Sequence, residues 1–166
     1  MSKAFTRESD DAPDPLPAVR PFSVPGGKNY LTPAGAKNLE NELGVLLQKS
    51  QDLAASSSDD NKRARQSLLP RISYLQQSLA AAVISPPPEP PWEQIFFGAT
   101  VKLRGGDGEE ASYRIVGVDE MDLDRNWVSW TSPIARALLK KQLGQQVKFK
   151  MPAGEQDWTI VEISYE

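Results

Sequence analysis

Asp52, Asp59 and Asp60 are the carboxylates whose spacing best suits chemistry. Adjacent aspartates on a projecting element can hold a hard divalent cation such as Mg2+ and present it to an active site elsewhere. The same pair can instead cap a helix and offset the positive end of its dipole. Lys62, Arg63 and Arg65 follow, with Arg71 further along. Such cations can contact nucleic-acid phosphates or simply form a solvated helix face. A third group, Asp119, Glu120, Asp122 and Asp124, shares one loop. An EF-hand would need a glycine at its sixth position and a glutamate at its twelfth, and both are missing. What remains is a negative surface suited to docking a basic protein.

The absences are as informative. The 166 residues include no cysteine and no histidine. That removes disulfides, thiol catalysis, imidazole acid–base work and nearly every zinc site. No nucleophile–base pair is visible, so the chain is not expected to be an enzyme. A net charge of −3 argues against a simple nucleic-acid coat. No run approaches the roughly 18–20 apolar residues of a membrane span. Residues 1–29 lack the apolar stretch of a signal peptide, which fits a cytoplasmic protein.

These groups must be positioned by two units. Residues 1–29, rich in proline, read as a disordered leader. Thr32-Pro33 is a helix N-cap followed by a favourable first residue. Ala36, Leu39, Leu43, Leu46, Ser50 and Leu53 then recur at heptad spacing, as do Asn61, Arg65, Leu68, Ile72, Leu75, Leu79 and Ala82. Folded antiparallel, Leu46 faces Leu68 and Leu39 faces Leu75, which puts the turn in Ser56-Ser57-Ser58. The expectation is an antiparallel coiled-coil hairpin over 30–85 whose seam turns polar near its tip. Pro70 falls on the outer face of the second arm, where it either kinks the helix or marks its start after a loose 54–69 loop.

The Pro-rich segment 86–91 favours polyproline II and reads as a semi-rigid linker. Beyond it, residues 92–166 alternate as an antiparallel sheet. Strands are expected over Thr100–Arg104 and Ser112–Val118, joined by Gly105-Gly106-Asp107-Gly108, and over Trp127–Trp130. Ser132-Pro133 opens a helix to about Lys141, and Gln146–Met151 pairs with Trp158–Tyr165 around Pro152-Ala153-Gly154. The fold class is α+β.

Several blocks together resemble the Gre family of bacterial transcription elongation factors. They are Asn29-Tyr30-Leu31-Thr32-Pro33-Ala34-Gly35 with the leucine seam, Ile72-Ser73-Tyr74-Leu75, Phe97-Gly98-Ala99, Tyr113-Arg114-Ile115-Val116-Gly117, Ser132 to Leu139, and Pro152 to Glu155. The resemblance implies an FKBP-like C-terminal domain that docks at the secondary channel of bacterial RNA polymerase, and a coiled coil inserted into that channel. It implies polymerase-docking residues at Asp119, Glu120, Ser132, Pro133, Ala135 and Arg136, and nascent RNA near Lys62, Arg63 and Arg65. In cleavage-competent members, a Gly-Asp-x-Ser-Glu-Asn-Ala tip completes Mg2+ binding at the polymerase active centre, which hydrolyses the RNA.

That tip motif is absent here. Aligned without gaps back from Tyr74, the family's acidic positions fall on Gln51 and Ala54, which bind no metal. The first arm is then about 14 residues short, which shared between two arms is roughly 10 Å of reach at 1.5 Å per residue. The reading is a monomeric polymerase-binding elongation regulator with weak or no stimulation of transcript cleavage and no cofactor of its own. The alternative is a fully competent GreB-like factor that shares Mg2+ with the polymerase through Asp59 and Asp60. A generic interaction module and a peptidyl-prolyl isomerase are further alternatives. The isomerase would need an aromatic pocket, for which Trp127, Trp130 and Trp158 are the candidates.

Overall fold

The computed structural model describes residues 28–151 and 154–166. The expected leader over 1–29 and the Pro152-Ala153 turn therefore lie almost wholly outside the described residues.

Thr32 accepts a hydrogen bond from the Gly35 amide at 3.0 Å, and Pro33 takes the first helical position. Helix α1 accordingly runs Pro33–Ala54. Ser58 caps α2, Asp59–Ala80, by accepting from the Asn61 amide at 3.2 Å. The turn thus falls where the heptad pairing puts it. Ala36, Leu39, Ile72 and Leu75 are buried in the seam, while Leu53 and Leu68 are only half-buried. Two polar contacts fix the register further out. Arg65 Nε donates to Ser50 Oγ at 3.3 Å, and Arg71 grips both oxygens of Glu42 at 2.7 and 2.8 Å. The Glu42 carboxylate holds the Arg71 guanidinium above its ordinary pKa.

Pro70 is exposed, and α2 runs unbroken through it. The loose-loop alternative over 54–69 is overturned. Pro70 lacks an N–H, so the Gln66 carbonyl loses its i+4 donor, and on the solvent side water can replace it.

At the base of the hairpin, β1 (Asn29–Leu31) pairs in parallel with β2 (Ala82–Ile84). No strand is expected there from sequence, because three residues are too few to show alternation. The two helices form the long crossover that parallel pairing requires.

The remaining strands are β3 (Thr100–Gly105), β4 (Glu110–Val116), β5 (Trp127–Ser129), β6 (Gln146–Met151) and β7 (Gly154–Ser164). They form one sheet in the order β5-β4-β3-β7-β6. Three of its pairings are antiparallel, but β4 and β5 run parallel, which corrects the all-antiparallel expectation. Residues 117–126 carry the chain back across, beginning with a 3-10 turn at Val118–Glu120. Helix α3 (Pro133–Leu138) is shorter than expected. Lys140 turns to a φ of 67°, and the chain there bonds the segment before β3, with Lys140 N donating to Ile95 O and Ile95 N to Lys141 O, both at 2.8 Å. Ala135 and Leu138 of α3 are fully buried with Val101, Ile115 and Ile160 of the sheet. Trp158, also fully buried, stacks on Phe149 at 5.9 Å.

Proline is about 3 kcal/mol less favourable than alanine inside a helix. Pro70→Ala should therefore raise unfolding stability by about 1–3 kcal/mol, read from the urea midpoint at constant m-value.

Candidate functional site

The tip is a four-residue turn, 55–58, between two capped helix ends. Asp59 and Asp60 stand in the first turn of α2, where negative charge faces the positive end of the helix dipole. Asp59 Oδ1 lies 3.1 Å from Lys62 Nζ, both largely exposed. Asp52, at the end of α1, accepts from Gln48 Nε2 at 2.9 Å. Among the described residues, no group of three or more potential metal-ligating side chains occurs. Of the tip carboxylates, Asp59 is ion-paired with Lys62 and Asp52 is bonded to Gln48, while Ser58 provides the cap of α2. Two of the expected RNA-facing cations are also engaged locally, Lys62 with Asp59 and Arg65 with Ser50. Arg63 is exposed.

At the other end of the hairpin the acidic loop does something the sequence reading does not foresee. Asp119 accepts from three donors: Asn29 Nδ2 at 3.1 Å, the Ser78 hydroxyl and the Tyr74 hydroxyl. Asn29, fully buried, also donates to Ser78 Oγ at 2.7 Å. Glu120 Oε2 accepts from the Thr32 amide at 2.9 Å and the Gly117 amide at 3.1 Å, while its other oxygen takes the Thr32 hydroxyl. Thr32 Oγ1 therefore accepts from Gly35 and donates to Glu120, joining the cap of α1 to the loop.

Two glycines make this approach possible. A Cβ on Gly35 would lie 2.0 Å from Glu120 Oε1, and one on Gly117 would lie 2.3 Å from the Tyr30 carbonyl oxygen. Aromatic contacts complete the junction, with Tyr30 edge-on to Trp130 at 5.3 Å and tilted on Phe97 at 5.9 Å.

The expected docking set therefore divides. Asp119 and Glu120 direct their carboxylates into the molecule. Ala135 is fully buried, so it builds the core and cannot be a contact. Ser132 caps α3, accepting from the Ala135 amide at 3.2 Å. Pro133 and Arg136 are exposed. Asn29, Gly35, Tyr74, Ser78 and Gly117, together with Thr32 beyond its capping role, are the junction residues to which sequence reasoning gives no part in this site. Their signal lay in the clustering of three of them within residues 29–35.

The rest of the acidic loop is self-contained. Asp122 Oδ1 accepts from the amides of Asp124 and Arg125 at 3.1 and 3.3 Å. Arg125 and Arg114 both lie over the Trp127 ring, at 5.3 and 4.7 Å. Trp127 is thus covered by guanidinium groups, Trp130 meets Tyr30 and Trp158 is buried, so the three tryptophans form no common proline pocket.

The family model described as "Transcription elongation factor, GreA/GreB, C-term" matches residues 89–165. Transcription elongation factor GreB of Neisseria meningitidis serogroup A is 38% identical, covering 83% of this chain and 94% of that protein. GreB of Pseudomonas aeruginosa is 37% identical over 84% of this chain and 92% of that protein. A solved GreA/GreB factor from Nitrosomonas europaea covers 83% of this chain and 98% of that chain at 23% identity and a TM-score of 0.44.

Gly35→Ala isolates the junction energetically. Helix propensity alone favours alanine by about 1 kcal/mol. The clash with Glu120 opposes it, so the variant should unfold at lower urea than the parent. Glu120→Ala leaves the Thr32 and Gly117 amides without their acceptor and should cost about 2–3 kcal/mol by the same measurement.

Proposed function

Because the chain belongs to the GreA/GreB family of transcription elongation factors, we propose that it binds bacterial RNA polymerase at the secondary channel and modulates elongation with weak or no stimulation of transcript cleavage. In this reading the sheet domain is FKBP-like and docks at the channel rim. The helical pair is a coiled coil that enters the channel. The protein acts as a cytoplasmic monomer, and any RNA hydrolysis belongs to the polymerase active centre.

The tip carries this proposal. Its adjacent carboxylates sit in the first turn of α2, and Asp59 is paired with Lys62. Each arm has 22 residues, a rod of about 33 Å. The alignment with the Neisseria relative spans 154 positions but takes in only 83% of these 166 residues, about 138. Some 16 positions of the alignment thus have no counterpart here, a number close to the roughly 14 residues by which the first arm reads short. A metal ligand must approach within about 2 Å of Mg2+. A tip that falls several ångströms short occupies the channel without completing the metal site.

The competing reading, full cleavage stimulation through Asp59 and Asp60 with Mg2+ shared with the polymerase, is favoured by one observation. Those two are the only acidic residues in the first turn of α2, beside the tip turn. Docking, in either case, rests on Pro133 and Arg136 as the exposed members of the α3 start. Basic groups at Lys62, Arg63 and Arg65 face the nascent RNA.

Added to a backtracked elongation complex, the protein should bind and shorten the RNA little. Asp59→Ala/Asp60→Ala should leave that outcome unchanged. Strong shortening lost in the double variant would establish the competent reading instead. Arg136→Glu should weaken polymerase binding at least several-fold with an unchanged melting temperature.

A further inference from the structure

We propose that Asp119 and Glu120 are positioning residues, a clasp that sets the direction in which the hairpin leaves the sheet domain and hence where the tip lands. They act through the hairpin and do not touch the partner. The functional consequence rests on the polymerase reading above, whereas the orienting role stands on the junction itself.

Three chain segments converge on this dipeptide. Glu120 holds the start of α1 through both the amide and the hydroxyl of Thr32. Asp119 holds the last two turns of α2 through Tyr74 and Ser78, and β1 through Asn29. Both arms are therefore fixed at their base ends by neighbouring residues on one 3-10 turn. That turn is itself tied to the sheet, because Glu120 accepts from Gly117, the residue directly after β4.

The other connections are poorer at fixing an angle. The covalent link is the Pro-rich segment 86–91, most of it exposed. Tyr30 meets Phe97 and Trp130 through ring contacts, which hold two surfaces together but tolerate sliding. Hydrogen bonds to carboxylates are directional and stronger than neutral ones. Gly35 lets the Glu120 carboxylate come within a distance that any side chain there would block. Leverage makes the angle matter, since a tilt of about 10° at the base of a rod of about 33 Å moves its tip about 6 Å.

The absence of native cysteines makes a direct test simple. Ser57→Cys at the tip and Ser112→Cys on β4, both exposed positions, carry spin labels for a pulsed distance measurement on the full chain. The parent should give one narrow distance distribution. Asp119→Asn/Glu120→Gln keeps shape but weakens the bonds, and should broaden it about two-fold with far-UV circular dichroism retained. Gly35→Ala, which displaces Glu120 without changing any charge, should broaden or shift it as well. Widths and positions unchanged in both variants would overturn the proposal, however much the melting temperature fell.

Polymerase binding supplies the second arm. The isosteric double variant should still compete for polymerase, while its effect on elongation rate falls. Loss of polymerase binding with an unchanged distance distribution would make the two residues docking contacts and also overturn the proposal. If the parent itself failed to bind polymerase, the functional reading would fall while the distance result still decided the orienting role.

Discussion

Donors from β1, α1 and α2 meet two adjacent carboxylates on the crossover between β4 and β5, and the shape of the molecule depends on that meeting. The parallel β4–β5 pair is what brings them there. A two-residue hairpin could not reverse the chain in this sense, so residues 117–126 must travel along the sheet. That path passes beneath the hairpin, and the 3-10 turn presents Asp119 and Glu120 upward to it. Glycines at 35 and 117 then allow backbone and carboxylate to approach at a separation that a methyl group would forbid. Sheet topology, turn chemistry and residue size thus combine at one place.

The parts of the fold that repeat were legible in the sequence. Apolar spacing points to the residues the hairpin buries, Ala36, Leu39, Ile72 and Leu75, and Thr32 and Ser132 before prolines specify two helix starts. What was not legible involves partners far apart in the chain. Ser78 and Asp119 are 41 residues apart, and Thr32 and Glu120 are 88 apart. A cluster of carboxylates has the same sequence appearance whether it faces solvent or collects buried donors, so Asp119 and Glu120 read as a surface. Helix α3 ends before its sequence pattern does, for a related reason. Residues 133–141 have good helical character throughout, but hydrogen bonds to Ile95 capture the last of them. Pro70 shows the converse, a local penalty overridden by continuous packing of Ile72 and Leu75 on the opposite face.

The tip and the base use the same side chain for opposite purposes. At the tip, aspartates meet a helix dipole and a flexible ammonium in open solvent, where such interactions are weak and screened by salt. At the base, carboxylates accept from a buried amide side chain and from backbone N–H groups, where an unmatched donor is costly. Change is therefore inexpensive at one end of the hairpin and expensive at the other.

The seam between those ends has its own consequence. Because each arm keeps a seven-residue period and the turn is only four residues, whole heptads can be added or removed symmetrically at the tip. One heptad per arm changes the projection by about 10 Å and leaves every contact at the base in register. The hairpin is in that sense a ruler with a fixed zero mark. Reach can drift through insertions and deletions over evolutionary time, while aim stays constant.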